Sequence, residues 1–179
     1  MKTTLAAAVL ALCAAAAPAF AASDNLEMFR KVEKQVLQYP HFTIFDSINT
    51  EIDGTVVRLT GKVTMPYKAD DIERRVARIP GVTKVENRIE TLPASQFDEE
   101  LRFRIARAIY SNPGFHMYGM QVNPPIHVIV ERGRVTLEGV VLNHTDRIVA
   151  NALARNFLAF EVKNELKTEA EAKAELEKI

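Results

Sequence analysis

Four histidines, His41, His116, His127 and His144, are the side chains here most easily recruited for metal or proton chemistry. A structural or catalytic metal needs three or four converging ligands. No two of these histidines stand four apart on one helical stretch, and the only cysteine is Cys13. A metal centre is therefore not expected. Ser47, Ser95 and Ser111 can be set on paper beside a histidine and an aspartate, but none lies in a nucleophile-elbow sequence. No constellation supports catalysis, and none calls for a cofactor.

Contact chemistry is better supplied. Arg74, Arg75 and Arg78, with Lys68 and Lys84, make a candidate basic patch facing lipid phosphates. Asp70, Asp71 and Glu73 interleave with them, which is the pattern of a solvated face carrying pairs such as Asp70–Arg74 and Asp71–Arg75. Arg102, Arg104 and Arg107, followed by Tyr110, suit a membrane surface or an acidic partner better. The sharpest candidates are apolar: Phe157, Leu158 and Phe160, and Tyr118, Gly119 and Met120. Each group either docks against another part of the chain, the ordinary fate of such residues, or forms an exposed patch for lipid or a partner.

These residues need elements to hold them, and the composition bounds what those can be. Among 179 residues, 23 Lys+Arg balance 23 Asp+Glu, 47% are hydrophobic and 26% are charged. The fractions are those of a folded protein. The charge balance excludes a protein that grips nucleic acid mainly by neutralising phosphates.

Residues 1–21 read as a secretory signal peptide. Lys2 is a short positive region, Leu5 to Ala17 is an apolar run, Pro18 breaks it, and Ala19-Phe20-Ala21 offers a small-x-small cleavage site. The run is short of the roughly 20 residues that span a bilayer as a helix. Acylation of Cys13 is the rival reading; Leu10 fits it, but Leu12 stands where a small residue belongs. Cleavage after Ala21 leaves a periplasmic chain of net charge −1 with no thiol and no transmembrane helix.

The rest of the chain is a duplication. Val57-Arg58-Leu59-Thr60-Gly61-Lys62-Val63 matches Val135-Thr136-Leu137-Glu138-Gly139-Val140-Val141. Val85-x-Asn87-x-Ile89 matches Val162-x-Asn164-x-Leu166, and Pro40 pairs with Pro113. Residues 25–92 and 97–168 are two copies of one module, with a polar tail at 169–179. Leu26, Phe29, Val32 and Val36 recur at helical spacing, as do Leu101, Ile105, Ala108 and Ile109. A first strand is expected near 44–52 and near 126–130, with hairpin turns at Asp53-Gly54 and Arg132-Gly133. Val57, Leu59 and Gly61 share one face of the second strand. A second helix carries Ala69, Ile72, Val76 and Ile79, or Val149, Leu153 and Phe157.

The order α-β-β-α-β, twice, makes an α+β protein in which each module packs two helices on a three-stranded sheet. Gly61 and Gly139 are expected to mark a bulge or close backbone approach. Asn87 and Asn164 interrupt an apolar face and are expected to satisfy a backbone group at a neighbouring turn.

The tandem pattern resembles the BON domain (bacterial OsmY and nodulation). The resemblance is carried by Val57-x-Leu59-Thr60-Gly61-x-Val63, by Arg78-Ile79-Pro80-Gly81-Val82 and by Val85-x-Asn87-x-Ile89. Asn123 to Val130 is similar to the second copy in periplasmic two-BON proteins of the OsmY-like, hyperosmotically inducible type. The second copy departs where Asn156-Phe157-Leu158-Ala159-Phe160 replaces Ile79-Pro80-Gly81-Val82-Thr83. The resemblance implies a non-enzymatic envelope module that contacts phospholipid surfaces or envelope proteins under osmotic or envelope stress. The alternative it implies is a periplasmic chaperone or scaffold for other proteins. The contact candidates are then Phe157, Leu158, Phe160, Tyr118, Met120, Arg104 and Arg107.

Overall fold

A computed structural model describes residues 17–177 of the chain. Most of the signal peptide, including Cys13, lies outside the described residues. The first module runs α1 (Ala17–Leu37), β1 (Ser47–Asp53), β2 (Val56–Val63), α2 (Pro66–Val76) and β3 (Lys84–Thr91). The second runs α3 (Gln96–Tyr110), a 3-10 turn (Pro113–Phe115), α4 (His116–Gly119), β4 (Ile126–Glu131), β5 (Arg134–Val141), α5 (His144–Ala154), β6 (Glu161–Asn164) and β7 (Lys167–Thr168). The tail forms α6 (Glu169–Leu176), started by a capping box between Thr168 and Glu171 and tied to Arg147 through Glu171. Among the described residues, no helix is long and apolar enough to cross a membrane.

Each sheet is ordered as the chain runs. β1 pairs antiparallel with β2, and β3 returns parallel to β2 after the α2 crossover. β4, β5 and β6 repeat this, and β7 continues the β6 line beside β5 after a two-residue break. The second sheet is thus four-stranded where three strands were expected. Alternation along β2 sends Val57, Leu59 and Val63 into a core with Val32, Val36, Ile72 and Val76. Val135, Leu137 and Val141 do the same against Ile105, Ile109, Ala150 and Ala154.

The paired glycines and asparagines have one explanation each. Gly61 (φ 121°) and Gly139 (φ 116°) lie where the middle strand crosses its neighbour's start. A Cβ at either would collide with a backbone carbonyl, Ser47 O or Pro125 O. Asn87 Nδ2 donates to Ala69 O of α2, and Asn164 Nδ2 donates to Arg147 O of α5. Their Oδ1 atoms accept from the backbone two residues on, Ile89 N and Leu166 N. Each asparagine therefore ties the last strand to the second helix as well as to its own turn, so the polar group is satisfied within the apolar face.

Two local expectations are corrected. Asp53 pairs with Val56, so the first hairpin turn is Gly54-Thr55, one residue later than the Asp53-Gly54 expected. The first strand begins at Ser47, not near Ile44. Part of the segment before it reaches the second module: Ile44 and Phe45 pack against that module's core, while Phe42 and Asp46 stay with the first. Ile44 O accepts from Val128 N at 2.7 Å, and the Phe45 and Phe103 rings meet edge to face at 4.9 Å. His127 Nδ1 lies 2.6 Å from Asp46 O, with its ring against Phe42. Ser47 donates to Glu138, and Lys62 pairs with Glu131. The two sheets thus turn their polar faces toward each other across a cleft of about 610 Å³ that includes Thr60, Arg88, Glu131 and Lys163.

Candidate functional site

The α5–β6 junction that replaces a Pro-Gly turn leads into an exposed apolar corner. Leu158 is 91% exposed and Phe160 85% exposed. Of the two readings of this segment, docking or an exposed patch, Leu158 and Phe160 take the second. Phe160 N donates to Gly133 O at 2.8 Å, which pins the segment to the β4–β5 turn. A Cβ on Gly133 would stand 2.6 Å from Phe160 Cδ2 and 3.5 Å from Phe97 Cε1, so both rings lie over that turn. Arg132 takes φ 51° and Gly133 φ 73°, the backbone of a two-residue primed turn. Asp98 fixes it: the buried carboxylate accepts from Arg132 N at 2.8 Å and Gly133 N at 2.7 Å. Ser95 caps the same helix end through Asp98 N. The α3 start, the hairpin turn and the β6 entry are locked into one rigid corner.

Phe97 extends this corner along α3. Phe97, Glu100, Arg104 and Arg107 recur at three and four residues on its exposed side, and Phe103 lies beside them. Arg104 pairs with Glu100 at 3.5 Å. Arg132, in that turn, and Arg155, at the end of α5, are exposed. Arg102 departs from the expected basic stripe. It is buried, its Nη2 donates to Val130 O at 2.7 Å, and burial pushes its pKa below the usual arginine value despite the Asp98 charge.

The other candidates divide. Phe157 is half-buried against its own module's core. Tyr118 is 4% exposed; its hydroxyl donates to Asp146 Oδ2 at 2.6 Å and accepts from Leu142 N. Burial, with help from Asp146, pushes that phenol up to about 12. Tyr39 reaches Asp71 in the same way in the first module, so Tyr118 is a packing residue and not part of the surface. Met120 is exposed, and Met117, Val122 and Leu142 are exposed near it in sequence or through Tyr118.

The basic patch expected around α2 is dispersed. Lys68 is buried on Asp46, Lys84 pairs with Glu86, and Arg74 pairs with Asp71 at three residues rather than with Asp70 at four. Among the described residues, no group of three or more His, Cys, Asp and Glu side chains is placed to hold a metal ion.

The BON domain matches residues 30–93 and again residues 98–170, covering most of the chain. The chain belongs to the BON-domain family. It is a tandem BON protein of mixed α+β architecture, and BON modules are non-catalytic units that bind phospholipid or envelope surfaces. No curated protein sequence matches it. Two solved structures of CdsD, described as a structural protein of the type III secretion system of Chlamydia trachomatis, are similar at low level. One shares 12% identity over 84% of this chain and 97% of its own, the other 11% over 80% and 98%, each with a TM-score of 0.29.

Within the BON pair, the exposed corner belongs to the second module alone. The first has Gly81 and Thr83 where the second has Leu158 and Phe160. Sequence reasoning missed Phe97 and Asp98. An aspartate three residues past a serine N-cap was visible, but only the folded chain brings it to a turn 34 residues away.

Proposed function

We propose that this chain is an exported, periplasmic tandem BON protein acting in the osmotic or envelope stress response. Its second module contacts anionic phospholipid. The carrying observation is the rigid corner of Leu158, Phe160 and Phe97, continued along α3 by Arg104 and Arg107. Aromatic and aliphatic side chains beside arginines suit the boundary between headgroups and acyl chains, where apolar burial and attraction to anionic lipid add. With the chain near electrical neutrality, that attraction must be local. The full mature chain should co-sediment with vesicles containing phosphatidylglycerol and much less with phosphatidylcholine alone. Leu158→Ser with Phe160→Ser should weaken binding about tenfold or more. Equal failure on both vesicle types removes the lipid reading.

A second reading, a holding chaperone or scaffold, draws on a different surface. Met117, Met120 and Val122 are exposed on and just after α4, which has no counterpart in the first module, and methionine suits adaptable contacts. Suppression of client aggregation should then fall on Met117→Ser with Met120→Ser while the fold survives. Unchanged suppression rejects this reading.

A further inference from the structure

The two sheets differ at their first edge. In the second module, Ile126, Val128 and Val130 turn backbone groups away from β5, and each position is covered. Tyr110 Oη donates to Ile126 O at 2.6 Å and accepts from Ile126 N at 3.1 Å. Val128 N donates to Ile44 O, and Arg102 donates to Val130 O. The β4 edge is therefore closed by α3 and by the Ile44–Phe45 segment.

β1 has the same register and none of this cover. Ile48 stands opposite Gly61 as Ile126 stands opposite Gly139, so Ile48, Thr50 and Ile52 turn their N–H and C=O groups outward. Among the described residues, no side chain and no backbone group outside the sheet bonds to them. The cause lies in α1. The repeat places Phe29 and Leu37 where the second module has Arg102 and Tyr110, with buried Val32 and Val36 matching buried Ile105 and Ile109. Neither hydrocarbon side chain can bond a peptide edge. The outer strands at the other end of each sheet carry their own protection. β3 alternates Lys84, Glu86, Arg88 and Glu90, and Asn87 Oδ1 occupies Ile89 N. β6 has only four residues, and Asn164 Oδ1 occupies Leu166 N just beyond it. β1 runs for seven residues without lysine, arginine or proline, and its Glu51 is paired with Arg58 of β2 at 2.7 Å. Such an edge is a template for another strand.

The strand that fits it is its own copy. Ser47-Ile48-Asn49-Thr50-Glu51-Ile52-Asp53, laid antiparallel on a second copy with Thr50 facing Thr50, overlaps in full. Outward groups then meet outward groups, Thr50 with Thr50 and Ile48 with Ile52. The isoleucines pair on the half-buried face. On the other face Asn49 meets Glu51 and Ser47 meets Asp53, so no like charges stand opposite. A one-residue slide sets outward groups against inward ones. A two-residue slide either sets Glu51 against Glu51 or runs Asp53 past the start of the strand. We propose that the β1 edge joins two copies of this chain into a symmetric dimer, continuous through the three-stranded sheet of each first module. The pairing consumes the same edge in both copies, so it closes at two. It is smaller than a standard interface, so the dimer is weak and forms with concentration.

The test is sedimentation equilibrium of the full mature chain up to about 1 mM, with amide hydrogen exchange followed by NMR at low and high concentration. A monomer–dimer equilibrium is expected. The Ile48, Thr50 and Ile52 amides should gain protection with concentration, while those of Asn49 and Glu51, bonded within the sheet, are protected throughout. Asn49→Glu sets carboxylates opposite each other twice across the two-fold axis and should weaken the dimer about fivefold. Asn49→Lys meets Glu51 instead and should tighten it by about the same factor. Asn49 is exposed, so thermal melting should show both variants folded. Thr50→Pro removes the central outward N–H and should weaken the dimer about tenfold or more. Leu158→Ser with Phe160→Ser should leave it unchanged, so this contact and the vesicle binding fail independently. A chain that stays monomeric overturns the pairing. So does a dimer whose three amides stay unprotected, or one on which Asn49→Glu and Asn49→Lys act alike. Protection of those amides in a monomer assigns the edge to a segment of the chain itself and equally overturns the second copy as its occupant.

Discussion

Alanine at Gly139 is expected to destabilise the second module by about 3–5 kcal/mol, a large share of any small domain's stability. Two costs combine. The residue sits at φ 116°, where side chains are strained, and its Cβ would overlap Pro125 O. That carbonyl is fixed by Val140 N, which donates to it, so it cannot simply retreat. Gly54→Ala is the control. It also has positive φ, but nothing lies within 4 Å of an added Cβ, so it should cost only about 1–2 kcal/mol. Chemical denaturation of both variants checks the contrast, and near-equal losses would contradict the collision argument. Gly61→Ala, facing Ser47 O, should behave like Gly139→Ala.

Asp46→Ala should cost about 3–5 kcal/mol and remove part of the first module's pH-dependent stability. Asp46 is fully buried. Its carboxylate accepts from Thr43 N and Oγ1, Thr64 N and Oγ1, and Lys68 Nζ at 2.7 Å. Removing it leaves the Lys68 ammonium buried without its charge partner, the costly way to break such a pair. Replacing Asp46 and Lys68 together by apolar residues should recover part of the loss.

The pH dependence has its origin in the same contacts. Burial pushes the Asp46 carboxyl up, but Lys68, Thr64 and Thr43 together hold it below the ordinary aspartate value. The folded state therefore binds the proton less readily than the unfolded chain. Its contribution is complete above about pH 3.9, the ordinary value, and drains as pH falls through the lower folded value. Urea titrations between neutral and acid pH should show this loss in the native protein and a flatter profile in Asp46→Ala. An unchanged profile would mean that other carboxylates dominate.

Asp46 also shows where local reading stops. Nothing around Thr43-Ile44-Phe45-Asp46 marks it as the centre of a network. Two partners lie 18 and 22 residues away, and its own carbonyl faces His127, 81 residues on. The apolar pair Ile44-Phe45 reads as the start of a strand because a strand and a strap across another module share the same composition. In sequence His127 is an isolated polar residue on an apolar strand; in the fold, burial lowers its pKa, although the Asp46 carbonyl and charge it faces act the other way.

Other features were legible because their causes are local or periodic. The duplicated V-x-L-x-G pattern already carried the strand face and the glycine crossing, and Val57, Leu59 and Val63 all point inward. The asparagine in each last strand was identifiable as a satisfied polar group, although its helix partner was not. The α-β-β-α-β order rests on alternation at two residues and recurrence at three or four, which report the buried face of each element.

From the sequence alone came the two-module order and the buried strand faces, since these depend on neighbours a few residues apart. Tertiary structure decided that Tyr118 is packed while Leu158 and Phe160 are exposed. It also broke up the basic run of α2 and placed Lys31 and Lys34 beside Arg75 and Arg78. Whether an apolar residue docks, or a charge finds a partner, depends on segments that topology brings together from far along the chain. Residue type sets the energy of such a contact, but not which contact is made.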